Sequence, residues 1–213
     1  MHTLEAKHVT KRIKQAEVLT DISFSLQGGR IYGFIGDNGS GKTMLFRVLS
    51  GLIIPTEGEV LYDGKKERSV DMGITIENTS LFPDLNGFDN LWTLAKIRKV
   101  ATKDEVREAI LRVGLNPDEK KAVRKYSLGM KQRLILAQAL MERPAYLLLD
   151  EPTNGIDKDG VRLVKRILQE EKKRGAVILL ASHMESDMKE LCDEKFYIAS
   201  GCIQRHETGE ETC

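Results

Sequence analysis

GDNGSGKT, residues 36–43, is the stretch on which the reading of this chain turns. It matches the pattern G-x-x-x-x-G-K-[ST], and its context is the one that pattern requires: the apolar run IYGFI (31–35) precedes it and the apolar, helix-compatible MLFRVLS (44–50) follows. Gly36, Gly39 and Gly41 let the backbone curl so that several N–H groups point inward at phosphate oxygens. The helix start that follows adds its dipole. Lys42 is suited to neutralise β- and γ-phosphates, and the Thr43 hydroxyl is suited to bind Mg²⁺. Asp37, Asn38 and Ser40 complete the candidate cradle. A glycine-rich turn that matches by accident is the plain alternative, and the strand–loop–helix context weighs against it.

Working outward, 18–35 alternates and then runs apolar, with Gly28-Gly29 as the turn between two strands. EGEVLY (57–62) reads as a strand closed by the turn Asp63-Gly64. From about residue 88 to 143 the pattern is helical. Thr102 and Glu105 form a capping box, Val106, Ala109, Ile110 and Val113 share one face, and Gly114 and Pro117 close that helix. YLLL (146–149) and AVILLA (176–181) are buried strands. The helix between them spans about 158–173, with Val161, Val164 and Ile167 or Leu168 inward and Gly175 as its stop. FYIASGCIQ (196–204) is a closing hairpin. Short apolar strands alternating with helices imply an α/β sheet of mainly parallel strands, and the helical stretch between about 88 and 128, which has no strand signal, looks like an insert.

Composition narrows the function. Lys and Arg total 33 against 32 Asp and Glu, a net charge of +1, which argues against a dedicated nucleic-acid binder. No apolar run approaches the roughly 18 residues of a spanning helix. The start, MHTLEAKHVTKR, carries no secretion signal. Cys192, Cys202 and Cys213 read as reduced thiols of a cytosolic protein rather than as disulfides or metal ligands.

YLLLDE (146–151) ends a strand with two carboxylates. Parallel α/β sheets hold ligands beyond the carboxyl ends of their strands. There Asp150 can hold Mg²⁺, directly or through water, and Glu151 can orient and polarise an attacking water. Alone such a pair is an ordinary solvated loop; the phosphate loop gives it meaning. A further stretch, YSLGMKQRLILAQAL (126–140), raises a question of its own, because Lys131 and Arg133 open an apolar helix at the end where cations are disfavoured.

In this order, the motifs resemble the nucleotide-binding subunit of ATP-binding cassette (ABC) transporters along essentially the whole chain. GDNGSGKT stands as the Walker A loop, YLLLDE as the Walker B strand, YSLGMKQ as the signature, NGID (154–157) as the D-loop, and His183 in LLASHM as the switch histidine. The resemblance implies one ABC ATP-binding domain over 1–213. It has a P-loop core (about 1–79 and 144–213), an N-terminal antiparallel β portion and a helical subdomain inserted at about 80–143. It implies ATP and Mg²⁺ as ligands, a second copy or paralogue as partner, and a transmembrane permease that holds the subunit on the cytoplasmic face of the membrane. No nucleic-acid partner is expected. Ser127, Gly129 and the amides of the signature helix would face the γ-phosphate bound by the other subunit, and that anion would offset the nearby cations. No contacts are assigned to Lys131 or Arg133.

Several positions depart from the family pattern. Tyr126 and Leu128 replace the usual Leu and first Gly of the signature. Glu77, in ITIENTSLFPDL (74–85), stands where the family has a glutamine; it can meet Mg²⁺ or the attacking water while adding negative charge beside the triphosphate. Ile13 occupies the place where an aromatic residue often stacks on adenine, which weakens base selection. Glu77 with the SLGM signature is similar to the bacitracin- and lantibiotic-type exporters and immunity transporters. Leu81, Phe82, Phe88, Leu91 and Trp92 serve either a groove for a permease helix or the core. The implied activity is ATP hydrolysis, with Glu151, His183 and Glu77 catalytic. A soluble ABC ATPase acting on ribosomes or DNA and a non-catalytic nucleotide switch are the rival readings.

Overall fold

Strands β3 (Arg30–Ile35), β6 (Tyr146–Asp150) and β7 (Val177–Ser182) are buried at nearly every position, the pattern of strands covered on both faces. They form the middle of a six-stranded sheet that also contains β5 (Met72–Thr75), β8 (Glu194–Ala199) and β9 (Cys202–Thr208), in the order β5-β6-β7-β3-β8-β9. The first five of these strands pair in parallel and β9 closes the sheet antiparallel, so the mainly parallel sheet and its final hairpin are as expected. The structure is a computed structural model and describes residues 1–66, 70–76 and 80–209, with residues 186 and 187 by backbone alone.

A second, antiparallel sheet of order β2-β1-β4 joins β1 (Thr3–Ile13), β2 (Ala16–Gln27) and β4 (Glu57–Tyr62). Strand β1 gives no clean periodic signal. Its register shifts between Ala6 and Val9, and His8 adopts a positive φ of 51°, so the two-residue alternation that marks a half-buried strand is broken. Leu4, Ala6 and Val9 are nonetheless buried.

The helices are α1 (Lys42–Leu49), α2 (Gly87–Arg98), α3 (Lys103–Arg112), α4 (Leu128–Leu140), α5 (Lys158–Arg174) and α6 (Glu185–Lys189). Asn86, Thr102, Ser127 and Asp157 cap α2 to α5 through their side chains, and the Thr102–Glu105 capping box is present. Helix α1 starts with no side-chain cap and no acidic residue in its first turn, which leaves its N–H groups free of side-chain partners. On α5 the inward residues are Val164, Ile167, Leu168 and Glu171, while Val161 in the first turn is only half-buried. The buried Glu171 carboxylate is matched by Arg112 and Arg174, each at 2.7 Å.

Two cores sandwich the parallel sheet. Leu147, Leu149, Ile178 and Leu180 point toward α2–α5, among Leu91, Ile110, Leu134 and Val164. Tyr146, Leu148 and Leu179 point toward α1 and the antiparallel sheet, among Phe34, Phe46, Leu4 and Ile22. Of the aromatic and aliphatic residues at 81–92, Leu91 is core, Leu81, Phe88 and Trp92 pack partly buried against it, and Phe82 is exposed. The Cys192 and Cys202 thiols are free. Cys192 packs against Gly33, and burial pushes its pKa up to about 12; Cys213 lies outside the described residues.

Helix α4 crosses the edge strand β5 so closely that a Cβ on Gly73 would lie 2.0 Å from the Ala139 carbonyl oxygen. Neither partner can yield, since both are backbone in regular elements. Gly73→Ala is therefore expected to cost about 1–3 kcal/mol, read as a lowered urea midpoint at unchanged m-value.

Candidate nucleotide site

The parallel register aligns the strand ends. Ile35 pairs with Ser182, Asp150 with Ala181, and Thr75 with Leu149. The loops leaving β3, β6 and β7 therefore emerge at one edge of the sheet, where ligands of such sheets sit.

The loop after β3 folds as its glycines require. Gly39 and Gly41 take φ of 84° and 110°, conformations open to glycine. At Gly41 a Cβ would also press within 3.1 Å of the Val18 carbonyl oxygen. The Lys42 side chain folds back over the loop, and its Nζ donates to the Gly36 and Asp37 carbonyls at 2.6 and 3.1 Å. Lys42 is only 6% exposed, and no carboxylate faces its charge within ion-pair distance among the described residues. An anion that entered the loop would meet a cation with no competing counter-ion. The Ser40 hydroxyl is buried in the loop without a hydrogen-bond partner among the described residues, a group such an anion would satisfy.

Thr43 and Asp150 are joined: Thr43 Oγ1 donates to Asp150 Oδ2 at 3.0 Å. A hydroxyl and a carboxylate oxygen this close form a hard-oxygen pair of the kind Mg²⁺ selects. Glu151 follows with a positive φ of 49°, a strained geometry for a residue with a side chain. Three donors hold its carboxylate. The His183 ring lies with Nδ1 2.7 Å from Oε1, the His183 backbone N–H donates to the same oxygen at 3.0 Å, and the Ser182 hydroxyl donates to Oε2 at 3.1 Å. Ser182 is 1% exposed and also accepts from the Met184 N–H at 3.0 Å. A cavity of about 360 Å³ opens beside this group, lined in part by Asn38, Thr75, Gln132, Asp150, Glu151 and His183.

The structure thus brings Gly36–Thr43, Asp150, Glu151 and His183 to one edge. Ser127 and Gly129 lie apart from the cavity lining. Ser127 is exposed and caps α4, accepting from the Met130 N–H at 3.2 Å. Gly129 faces the Gly155 carbonyl across ordinary contact distance, and the exposed Leu128 packs on Gly155. Glu77 lies outside the described residues. Ile13 is exposed at the end of β1 and is not part of the cavity lining. Arg133 is engaged within the chain: its guanidinium lies 3.5 and 3.3 Å from the Val113 and Gly114 carbonyls and 3.4 Å from the Gly129 carbonyl. The cation on this helix serves the carbonyl-rich end of α3 rather than a distant anion. Sequence reasoning missed Ser182, whose signal was faint: a hydroxyl at the last position of an otherwise apolar strand, just before the histidine.

A phosphate loop, a hydroxyl–carboxylate pair and a restrained glutamate at the ends of parallel strands define a P-loop ATPase. Residues 19–154 match the family described as ABC transporter, and the chain belongs to that family as an ATP-binding subunit. It is 47% identical over 209 residues to an uncharacterized ABC transporter ATP-binding protein, YybJ, of Bacillus subtilis (strain 168), covering 96% of each protein. It is 36% identical to the bacitracin transport ATP-binding protein BcrA of Bacillus licheniformis, covering 93% of this chain and 67% of that one. The lantibiotic transport ATP-binding protein SrtF of Streptococcus pyogenes is 32% identical, with 94% and 88% covered. The dimeric structure of MJ0796, a bacterial ABC transporter cassette, superimposes with a TM-score of 0.85 at 21% identity over 96% of this chain and 98% of that one, a likeness of fold.

Ser182→Ala removes one donor from the Glu151 carboxylate and leaves the Met184 N–H without its acceptor. A stability loss of about 1–3 kcal/mol is expected in urea. Turnover should fall by about tenfold with nucleotide affinity unchanged, as measured by phosphate release and calorimetry.

Proposed function

We propose that two copies of this chain, or this chain and a paralogue, close around two ATP molecules and that their hydrolysis drives a separate membrane permease, as an exporter. The observation that carries the reading is the Glu151 carboxylate, held by His183 and Ser182 at a cavity that also carries Asp150. The bacitracin and lantibiotic transport proteins among the relatives support transport of that kind of cargo. Among the described residues no helix is long and apolar enough to cross a membrane; in the proposed complex the permease crosses it and this subunit sits against the permease on the cytoplasmic side. The proposed division of the chain is a core of about 1–79 and 144–213 with a helical subdomain of about 80–143. It is supported by the placement of α2, α3 and α4 between β5 and β6 in chain order.

In this reading the loop amides of 36–43 and the Ser40 hydroxyl bind phosphate oxygens. Lys42 exchanges its two carbonyl acceptors for the β- and γ-phosphates. Thr43 and Asp150 hold Mg²⁺, which when bound screens the charge of the triphosphate. Glu151 takes the proton of the water that attacks the γ-phosphorus, as the bond to the β-phosphate oxygen breaks and ADP leaves. His183 fixes the orientation of that carboxylate and reaches toward the γ-phosphate. Ser127 and Gly129 of the second copy meet the terminal phosphate from across the interface. Loss of that phosphate removes the charge bridging the two copies, and they part.

Glu151→Gln keeps the shape and loses the base. Turnover is expected to fall by about 10²-fold or more while ATP binding persists and a dimer accumulates with ATP, seen by light scattering. Lys42→Ala, as the control in the same calorimetry, is expected to weaken ATP by about 10- to 100-fold. Normal turnover in Glu151→Gln would remove that residue from its role.

A further inference from the structure

The cavity is lined by a polar side chain that nothing among the described residues engages. Thr75 is the last residue of β5 and is 7% exposed. Its hydroxyl is buried without a hydrogen-bond partner among the described residues, and the residue lines the same cavity as Asp150 and Glu151. Its direction follows from the strand period. Ile74 and Ile76 belong to the core on the α1 side of the sheet, so Thr75 faces the opposite side, toward α4, where Gln132 and Leu136 also line the cavity. Leu149, its partner in register on β6, is buried on that same side.

The chemistry of this position is not that of packing. Valine has the same shape as threonine and no polar group to desolvate, and the rest of β5 and its neighbours are apolar. A hydroxyl buried without a partner destabilises the fold unless something outside the chain bonds it. The cavity it faces is polar and large enough to hold water.

We propose that Thr75 is a positioning residue for hydrolysis: its hydroxyl holds an ordered water on the cavity floor, and that water keeps the attacking water beside the Glu151 carboxylate. The inference rests on the ATPase reading of the same site. It differs from the roles of Thr43 and Asp150, because the Thr75 hydroxyl acts through water on the geometry of attack and makes no contact with the phosphate chain. Its loss should therefore lower kcat and leave KM for ATP alone.

The test compares wild type, Thr75→Val and Thr75→Ser by steady-state phosphate release against ATP concentration, together with the melting temperature of each protein without nucleotide. Thr75→Val is expected to lose about tenfold in kcat at unchanged KM, Thr75→Ser to recover to within about twofold, and the nucleotide-free Thr75→Val to melt no lower than wild type. Unchanged kcat in Thr75→Val overturns the inference. So does a Thr75→Val protein that melts lower or fails to fold while Thr75→Ser folds, since the hydroxyl would then be bonded inside the chain. A wild type without turnover brings down the ATPase reading along with it, whereas an active wild type matched by Thr75→Val brings down this inference alone.

Discussion

The in-register parallel pairing of β3, β7 and β6 is the constraint on which the site depends. Ile35 opposite Ser182 and Asp150 opposite Ala181 set the phosphate loop, the two carboxylates and the histidine at one level. The strands carry apolar residues on both faces, so burial alone would tolerate a slip better than a half-exposed sheet would. A slip of one residue on β6 would exchange the faces of Leu148 and Leu149. It would also turn Asp150 away from Thr43. The hydrogen bond from Thr43 to Asp150 and the three donors on Glu151 are thus both products of the register and contributors to it.

The polar groups at this edge fall into two kinds. Some are satisfied inside the chain and preorganised: the Glu151 carboxylate with its three donors, and Ser182 between Glu151 and Met184. Others are held ready for something that comes from outside: the buried Ser40 and Thr75 hydroxyls, without partners among the described residues, and Lys42, bonded to carbonyls of the loop it closes. Preorganised donors and acceptors need no rearrangement at the moment of reaction, which is where electrostatic catalysis gains most. The basic start of α4 follows the same economy. Arg133 bonds carbonyls at the end of α3 and ties the two helices together, so the charge that looks misplaced along one helix is well placed against its neighbour.

What could be read from the chain was what local physics encodes. The glycine spacing of 36–43, the Thr102–Glu105 box, the apolar runs of β6 and β7 and the Gly201 hairpin each carry their signal within a few residues. Strand β1 was hidden because bulges around His8 spoil its alternation while charged residues cover its exposed face. Strand β5 was hidden because it is four residues long and contains Gly73, whose reason is the carbonyl of Ala139 on a distant helix. Ser182 acts through a partner 31 positions away, Arg133 through carbonyls 20 and 19 positions away, and Thr75 through a cavity. No window of sequence contains such information, because the register of the sheet creates it.

In the proposed dimer this edge is half of a site that a second chain completes with Ser127. The most direct measurement is a cross-link between two distinguishable copies whose native cysteines have been replaced, one carrying Asn38→Cys and the other Ser127→Cys, both with Glu151→Gln to hold ATP. Under mild oxidation with Mg²⁺ and ATP, a covalent dimer containing one of each copy should form, and neither copy alone nor the mixture without nucleotide should yield it. A mixture that stays monomeric with ATP, or that cross-links equally without it, would contradict the shared site.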